Sequence, residues 1–387
     1  MAAPPAPGEG ELTEVLIGEI IHRFPPNNPA CLFRASAVSR AWRAFVTSDD
    51  VLRRYREFHG APPVLGLLQN RDPADEPEPP AQVQPRFYAT ATPPPPINLP
   101  NIQGDYSLLL DCRHGRVLVH TIFPHGLIVC NPITGEQQVL PDYHVFPFSC
   151  FGGAVLCAVD DCDHLDCHGG AFRVVFTGTI NTDAEADEHI DEVFTSAILY
   201  SSDTGFWTAP TTVHPGPLMN SNDVMGPSLL AGDAVYFTLD LQNSRTVLRY
   251  DLGGAALSVM NAPPSVRTRR DTFLVTGEDE GLGFAAVEDY RLRLWSWSEA
   301  VWAPWRDISL ETMIPLTIGD PTTELKVIGF AEMSGVIFVM ANGIVSALEL
   351  MSGEISEVRE TLNSSTIFPF ESFYTPGSRL LCASLIT

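Results

Sequence analysis

Lysine is almost missing from this chain: of its 23 basic residues, 22 are arginine and Lys326 stands alone. A biased codon composition, visible also in the 33 prolines, is the plainest source of that bias. Positive charge is scarce altogether, with 23 basic against 47 acidic residues and a net charge of -24. Such a balance argues against non-specific binding to nucleic acid or to anionic membranes, because a phosphate surface repels most of the molecule. Long apolar runs are missing too: none reaches the roughly 18 residues that a membrane helix requires. Met1 to Gly10 lack the basic start and apolar stretch of a secretory signal. The eight cysteines are scattered irregularly, which suits reduced thiols of the cytosol or nucleus. Familiar catalytic motifs are likewise absent. There is no G-x-S-x-G elbow, no Walker A sequence and no H-E-x-x-H pair. No catalytic residue and no cofactor is therefore assigned, and an independent enzyme is not expected.

What is present divides the chain. At 387 residues it is too long for one ordinary core and suits a small module joined to a large one. Residues 11–60 hold seven arginines and six acidic residues, so nearly all the negative charge belongs to the remainder. After a leader over 1–10, apolar residues recur at helical spacing. Leu12, Leu16, Ile20 and Phe24 repeat every four residues, with Val15, Ile17 and Ile21 widening the stripe. Thr13 is a candidate N-cap, and Pro25 and Pro26 stop this helix. A second helix begins near Pro29 with Leu32, Phe33 and Val38. Ser39 precedes a third with Ala41, Trp42, Phe45 and Val46, and Asp49 and Asp50 can cap a fourth. Periodicity alone predicts a compact unit of three or four helices over 11–58, which could equally be an accessory subdomain packed on the body.

This segment resembles an F-box. Leu12, Leu16, Ile20, Pro25, Pro26, Val38, Ser39, Arg40, Trp42 and Arg43 follow the family pattern, and the stretch from Ser48 to His59 matches what usually follows it. The sequence departs at Thr13, where the family most often has proline, and at Asn27 and Asn28 in the turn; neither change removes an apolar anchor. The resemblance implies docking on a Skp-type linker protein and, through it, on a cullin scaffold. It places Leu12, Leu16, Ile20, Leu32, Val38 and Trp42 in that linker-binding surface or directly in its support, with the core of the unit as each residue's other role. For a chain beside activated ubiquitin, a shortage of lysine would also spare the chain itself.

Residues 61–387 read as one all-β domain. Its start is punctuated by proline and contains an acidic, proline-rich loop near 70–85. Val64 to Leu68 can form a first strand with Phe87 and Tyr88 as its partner. Farther on, short β-like runs flank turn signals: Leu108–Asp111 with Arg116–His120, Ala234–Leu239 with Thr246–Asp251, Gly283–Val287 with Leu292–Trp297, and Val336–Met340 with Ile344–Glu349. The units return at roughly 45–50 residues, the size of a propeller blade. The expected fold is a small all-α unit followed by a β-propeller of about five or six blades, with a β-sandwich carrying long insertions as the alternative. A terminal strand at Leu380–Leu385 would complete the first blade and remove an open edge.

The body also resembles the F-box-associated, β-propeller-like domain of plant proteins, on the stretches from Phe58 to Leu68, Asp111 to Val119 and Asn131 to Pro141. Together the two resemblances imply a substrate-recognition adaptor of a ubiquitin ligase whose β domain holds a protein target. A β-propeller interaction scaffold unrelated to any ligase is the alternative. The target surface is expected on one broad face built of loops, where Phe206, Trp207, Trp302 and Trp305 are candidate contacts; filling gaps between blades is their other, preferred role. No target-binding residue is assigned. The segment from Asp160 to His168 offers Cys162, His164, Cys167 and His168 as potential zinc donors. No second pair of ligands closes the set in sequence, so it is read as a turn, with no metal assigned.

Overall fold

The computed structural model describes residues 14–71, 83–91, 94–97, 99, 106–122, 124–143, 150–182, 192–216, 223–241, 244–267, 272–311, 325–359 and 366–376. Four helices come first: α1 (Glu14–His22), α2 (Ala30–Val38), α3 (Arg40–Val46) and α4 (Asp49–His59). Their boundaries have local causes. α1 stops ahead of Pro25 and Pro26, which lack the N–H donors a helix needs and crowd the preceding turn. Ser39 is extended and separates α2 from α3, and its hydroxyl accepts the Trp42 amide at 3.2 Å. Ser48 caps α4 by accepting the Val51 amide at 3.4 Å. Asp49 and Asp50, expected as that cap, stand instead in the first turn, where their charge complements the helix dipole. Leu12, the Thr13 cap and the leader lie outside the described residues.

A unit of about 45 residues buries little by itself, and this one borrows. Ile17, Ile21, Leu32, Ala35, Val46 and Tyr55 form its core together with Phe373, from the far end of the chain, and half-buried Leu165. Phe33 meets the ring of Tyr374 with centroids 4.9 Å apart, and Arg56 pairs with Asp166 at 2.5 Å. The helices are packed against the β body rather than tethered to it.

The body is a six-bladed β-propeller. β1 (Val64–Gln69) leaves the helices and pairs with β2 (Arg86–Ala89), the expected partner, with Leu67 opposite Tyr88 and Leu68 opposite Phe87. The first complete blade is β3 (Ser107–Arg113), β4 (Arg116–Thr121), β5 (Gly126–Cys130) and β6 (Gln137–Val139). The second holds β7 (Cys150–Cys157), β8 (Phe172–Thr182), β9 (Glu192–Ser201) and β10 (Phe206–Trp207). On it lie β11 (Thr211–Val213), against β9, and β12 (Asp223–Val224), parallel to β7. Blade three is β13 (Leu229–Ala231), β14 (Ala234–Asp240), β15 (Arg245–Asp251) and β16 (Ala256–Asn261). Blade four is β17 (Thr272–Thr276), β18 (Leu282–Glu288), β19 (Arg291–Ser298) and β20 (Val301–Ser309). Blade five is β21 (Leu325–Ala331), β22 (Val336–Ala341), β23 (Ile344–Glu349) and β24 (Ile355–Arg359). β25 (Ile367–Glu371) pairs with β1 and closes the ring with strands from both ends of the chain. Closure was expected from Leu380–Leu385; that segment lies outside the described residues, and Ile367–Glu371 supplies the strand. Blade two departs most from the expected spacing, because a long β7–β8 connection and two accessory strands extend it.

The blades repeat for a local reason. The turn between third and fourth strands places Gly135, Gly205, Ala255 and Gly353 at positive φ, and the amides of Gly135, Gly205 and Gly353 close on the carbonyls of Asn131, Ser201 and Glu349. Cores form between neighbouring sheets: Val275, Ala285 and Leu294 of blade four interleave with Val327, Ile337 and Leu348 of blade five. Gly66 allows the ring of Phe87 to approach, since a Cβ there would lie 2.2 Å from it. Among the described residues no helix is long and apolar enough to cross a membrane.

The inner strands meet around one cation. Arg113, at the end of β3, donates to Asp111 at 2.7 Å and to both carboxylate oxygens of Glu332 at 3.0 and 2.5 Å. It also donates to the Ser228 carbonyl at 3.2 Å, and Asp111 accepts the Val155 amide at 2.8 Å. Glu371 on β25 accepts the amides of Met333 and Ser334 at 3.1 and 2.8 Å. One buried network thus joins five of the six blades. Breaking a buried ion pair from one side leaves a bare charge, which costs roughly 3–5 kcal/mol. Arg113→Met is therefore expected to lower the chemical-denaturation stability by about that amount. Glu371 carries a second expectation. Burial pushes its carboxyl up from 4.5 to about 7, against the amide bonds that favour the anion. The folded protein then holds a proton that the unfolded chain releases between those values, so this group's contribution to stability falls as pH rises through that window. In paired unfolding curves from pH 4 to 8, Glu371→Gln should lose that part of the decline.

Candidate functional site

α1 is apolar on two sides. Ile17 and Ile21 point into the helical core, whereas Val15, Leu16 and Ile20 are 75%, 51% and 37% exposed. Leu16 and Ile20, one turn apart, share the outward face. Val38, at the end of α2, is exposed as well. A nine-residue helix that leaves three branched aliphatic side chains in water has a surface suited to another protein. The expected linker-binding residues therefore divide. Leu16, Ile20 and Val38 are outward and free for contact. Leu32 is buried in the core, and Trp42 is half-buried against it, its amide held by Ser39, so both serve as support. Leu12 lies outside the described residues. Val15 was noted in the sequence only as part of the apolar stripe; its outward direction depends on how α1 is rotated against α4, which spacing does not fix.

The orientation of that face relative to the propeller is built in. The Tyr55 hydroxyl donates to the Phe24 carbonyl at 3.0 Å, and its ring meets Phe373 edge-on. Burial pushes the Tyr55 phenol well above its usual range, so it stays a neutral donor. Arg56, the next residue of α4, meets Asp166 of the β7–β8 connection at 2.5 Å.

The propeller's candidate aromatics mostly pack. The Trp207 indole donates to the Pro141 carbonyl of blade one at 3.0 Å, and its ring lies against Tyr200 and Tyr143. Trp302 donates to the Asn261 carbonyl of blade three at 2.7 Å and packs on Trp297 and Phe284. Trp305 is half-buried against the core between blades four and five. Phe206, 75% exposed, is the one of these four that faces outward. At the axis, Asp111, Arg113, Ser228 and Glu332 saturate one another, and the space beside them is about 30 Å³, room for about one water. His120 accepts or donates a bond with the Tyr143 hydroxyl at 2.9 Å, and burial, with His125 nearby, pushes its imidazole down to about 4.

Comparison of the sequence with protein-family models and with curated proteins returns no match. Among solved structures the chain is similar in shape to the Dos1 propeller, at 10% identity and a TM-score of 0.35, over 67% of this chain and 61% of that one. It is similar to the WD40 domain of SCAP from fission yeast at 12% identity and a TM-score of 0.35, covering 69% and 56% of the two chains. For the Cps50 (Swd1) β-propeller domain of Myceliophteria thermophila the identity is 9% and the TM-score 0.33, over 70% and 91%.

The division of α1 gives a stability test. Replacing Leu16, Ile20 and Val38 together by serine should change the unfolding free energy by less than about 0.5 kcal/mol per site. Leu32→Ala should cost about 2–5 kcal/mol. Equal losses would place the outward residues in a core.

Proposed function

We propose that this chain is a non-catalytic interaction scaffold and, more specifically, an F-box adaptor that joins a protein target to a cullin-type ubiquitin ligase through a Skp-type linker. The observation that carries the reading is the outward apolar face of Leu16, Ile20 and Val38 on a small helical unit locked to a propeller. Those three positions are ones at which the F-box resemblance puts linker contacts. The propeller supplies the other half: a rigid ring of blades presenting loops to a protein partner. Its acidity favours a basic target surface and also keeps the protein soluble. Chemistry in such a complex belongs to the partners, and this chain contributes proximity and orientation. Packed helices suit that role, because a fixed angle sets where a bound target stands relative to the ligase.

The lysine pattern agrees. Lys326, half-buried on β21, carries the sole side-chain amine of the chain. In a reconstituted ligase, self-modification of side chains should be confined to Lys326 and vanish in Lys326→Arg, as read by peptide mass spectrometry.

The direct test is binding. Purified protein mixed with a Skp-type linker should form a one-to-one complex, and the Leu16→Ser, Ile20→Ser, Val38→Ser variant should lose at least roughly a hundredfold in affinity while keeping its melting temperature. No complex with several linker homologues would remove the ligase assignment and leave the propeller scaffold.

A further inference from the structure

The β7–β8 connection gathers four ligand atoms. Cys157 closes β7; Cys162, His164 and Cys167 follow in the loop, and the ligand atoms of all four lie within 4.8 Å of one another. The Cys167 sulfur is 3.7 Å from His164 Nδ1. A tetrahedral zinc, with bonds of roughly 2.3 Å to sulfur and 2.0–2.1 Å to nitrogen, sets its ligand atoms about 3.5–3.8 Å apart, so a contraction of about 1 Å completes the sphere. The surroundings resemble those of a metal loop. The Val159 amide donates to the Cys157 sulfur and the His164 amide to the Cys162 sulfur, both at 3.4 Å, each two residues after its cysteine. Such bonds stabilise thiolates and fix their direction. His114 stacks on His164 with centroids 4.1 Å apart and planes 6° from parallel, which holds the imidazole in place. Arg116 donates to the carbonyls of Cys167 and Gly170, each at 2.6 Å, and so staples the end of the loop to blade one.

We propose that Cys157, Cys162, His164 and Cys167 bind one zinc ion, and that this ion braces the loop against α4. The sequence hid the set because its first member stands five residues upstream at a strand end, and because His168, a tempting donor, turns to Asp166 at 3.2 Å. Three thiols and one imidazole favour zinc over the harder divalent ions. On binding, the three thiols release their protons to solvent, and zinc with three thiolates and a neutral imidazole leaves the site one negative charge. The bracing follows from what the loop carries. Leu165 packs into the helical core and Asp166 holds Arg56, and both lie between ligands His164 and Cys167. A groove of about 570 Å³ lies between α4 and this loop, lined by Leu52, Arg53, Val159 and Cys162 among others. The site does not depend on which partner the helices bind.

Protein purified from zinc-supplemented medium should carry one equivalent of zinc by elemental mass spectrometry. Cys157→Ser and Cys167→Ser should lose it, whereas Cys112→Ser, at a cysteine outside the set, should keep it. Because a ligand variant can also misfold, the native protein should in addition be exchanged with cobalt, which gives the intense visible bands of a tetrahedral thiolate site. Removal of zinc by a chelator should raise amide hydrogen exchange in α4 severalfold, with β14, β15, β18 and β19 unchanged. No retained zinc together with no tetrahedral cobalt spectrum, or a disulfide among the three thiols in freshly purified protein, would overturn the site. Exchange in α4 that is indifferent to the metal would overturn the bracing.

Discussion

Arg113 puts a full positive charge where the inner strands converge and almost no water fits, and the ring is arranged to make that tolerable. A guanidinium offers five donors in a flat fork, and here they reach Asp111 on its own blade, Ser228 at the entry to the third and Glu332 on the fifth. A lysine could not make those contacts at once. The surrounding carboxylates raise the Arg113 pKa further despite its burial, so the cation persists at any ordinary pH. Glu371 adds the closing strand by binding the turn that carries Glu332. Hydrophobic burial between sheets holds each blade to its neighbour, but burial is non-directional. The charged network is directional by contrast, and its bonds tie named positions on blades one, two, three and five to one another.

The helical unit depends on that closed ring. Its core is completed by Phe373, and Phe33 rests on Tyr374, both immediately after the closing strand. If β25 leaves β1, the helices lose their support along with the propeller's last blade. A second, independent contact comes through the β7–β8 connection at Arg56. Leu165 of that connection enters the same core as Phe373, so two segments of the propeller hold the helices together at one place. For the adaptor role proposed above, helices packed in this way give a bound target a defined angle to the linker.

Much of this architecture was legible in the sequence, and the reasons are local. The apolar stripe from Val15 to Phe24 and the serine at position 39 mark helices because helix period and capping are properties of neighbouring residues. Blade hairpins stood out because each is a strand, a short turn and another strand, with Gly115, Gly135, Gly205, Gly343 and Gly353 marking several of the turns at positive φ. What escaped was long-range. Phe373 in the helical core, Ile367–Glu371 as the closing strand and the Arg113–Glu332 pair join positions hundreds of residues apart, and no spacing rule connects them. The residues named from the resemblance fall on both sides of the helical packing, and only the structure separates exposed Leu16 and Ile20 from buried Leu32. At the cysteine loop, reading the turn correctly obscured its content, since a turn is what brings Cys157 to the other three.

The central claim is that the outward face of α1 and α2, rather than the propeller, receives the linker. Hydrogen exchange of the protein with and without a Skp-type linker tests it most directly. The account predicts slowed exchange in residues 14–22 and 30–46 with unchanged blades. Protection confined to the propeller, or no protection anywhere at saturating linker, would contradict it.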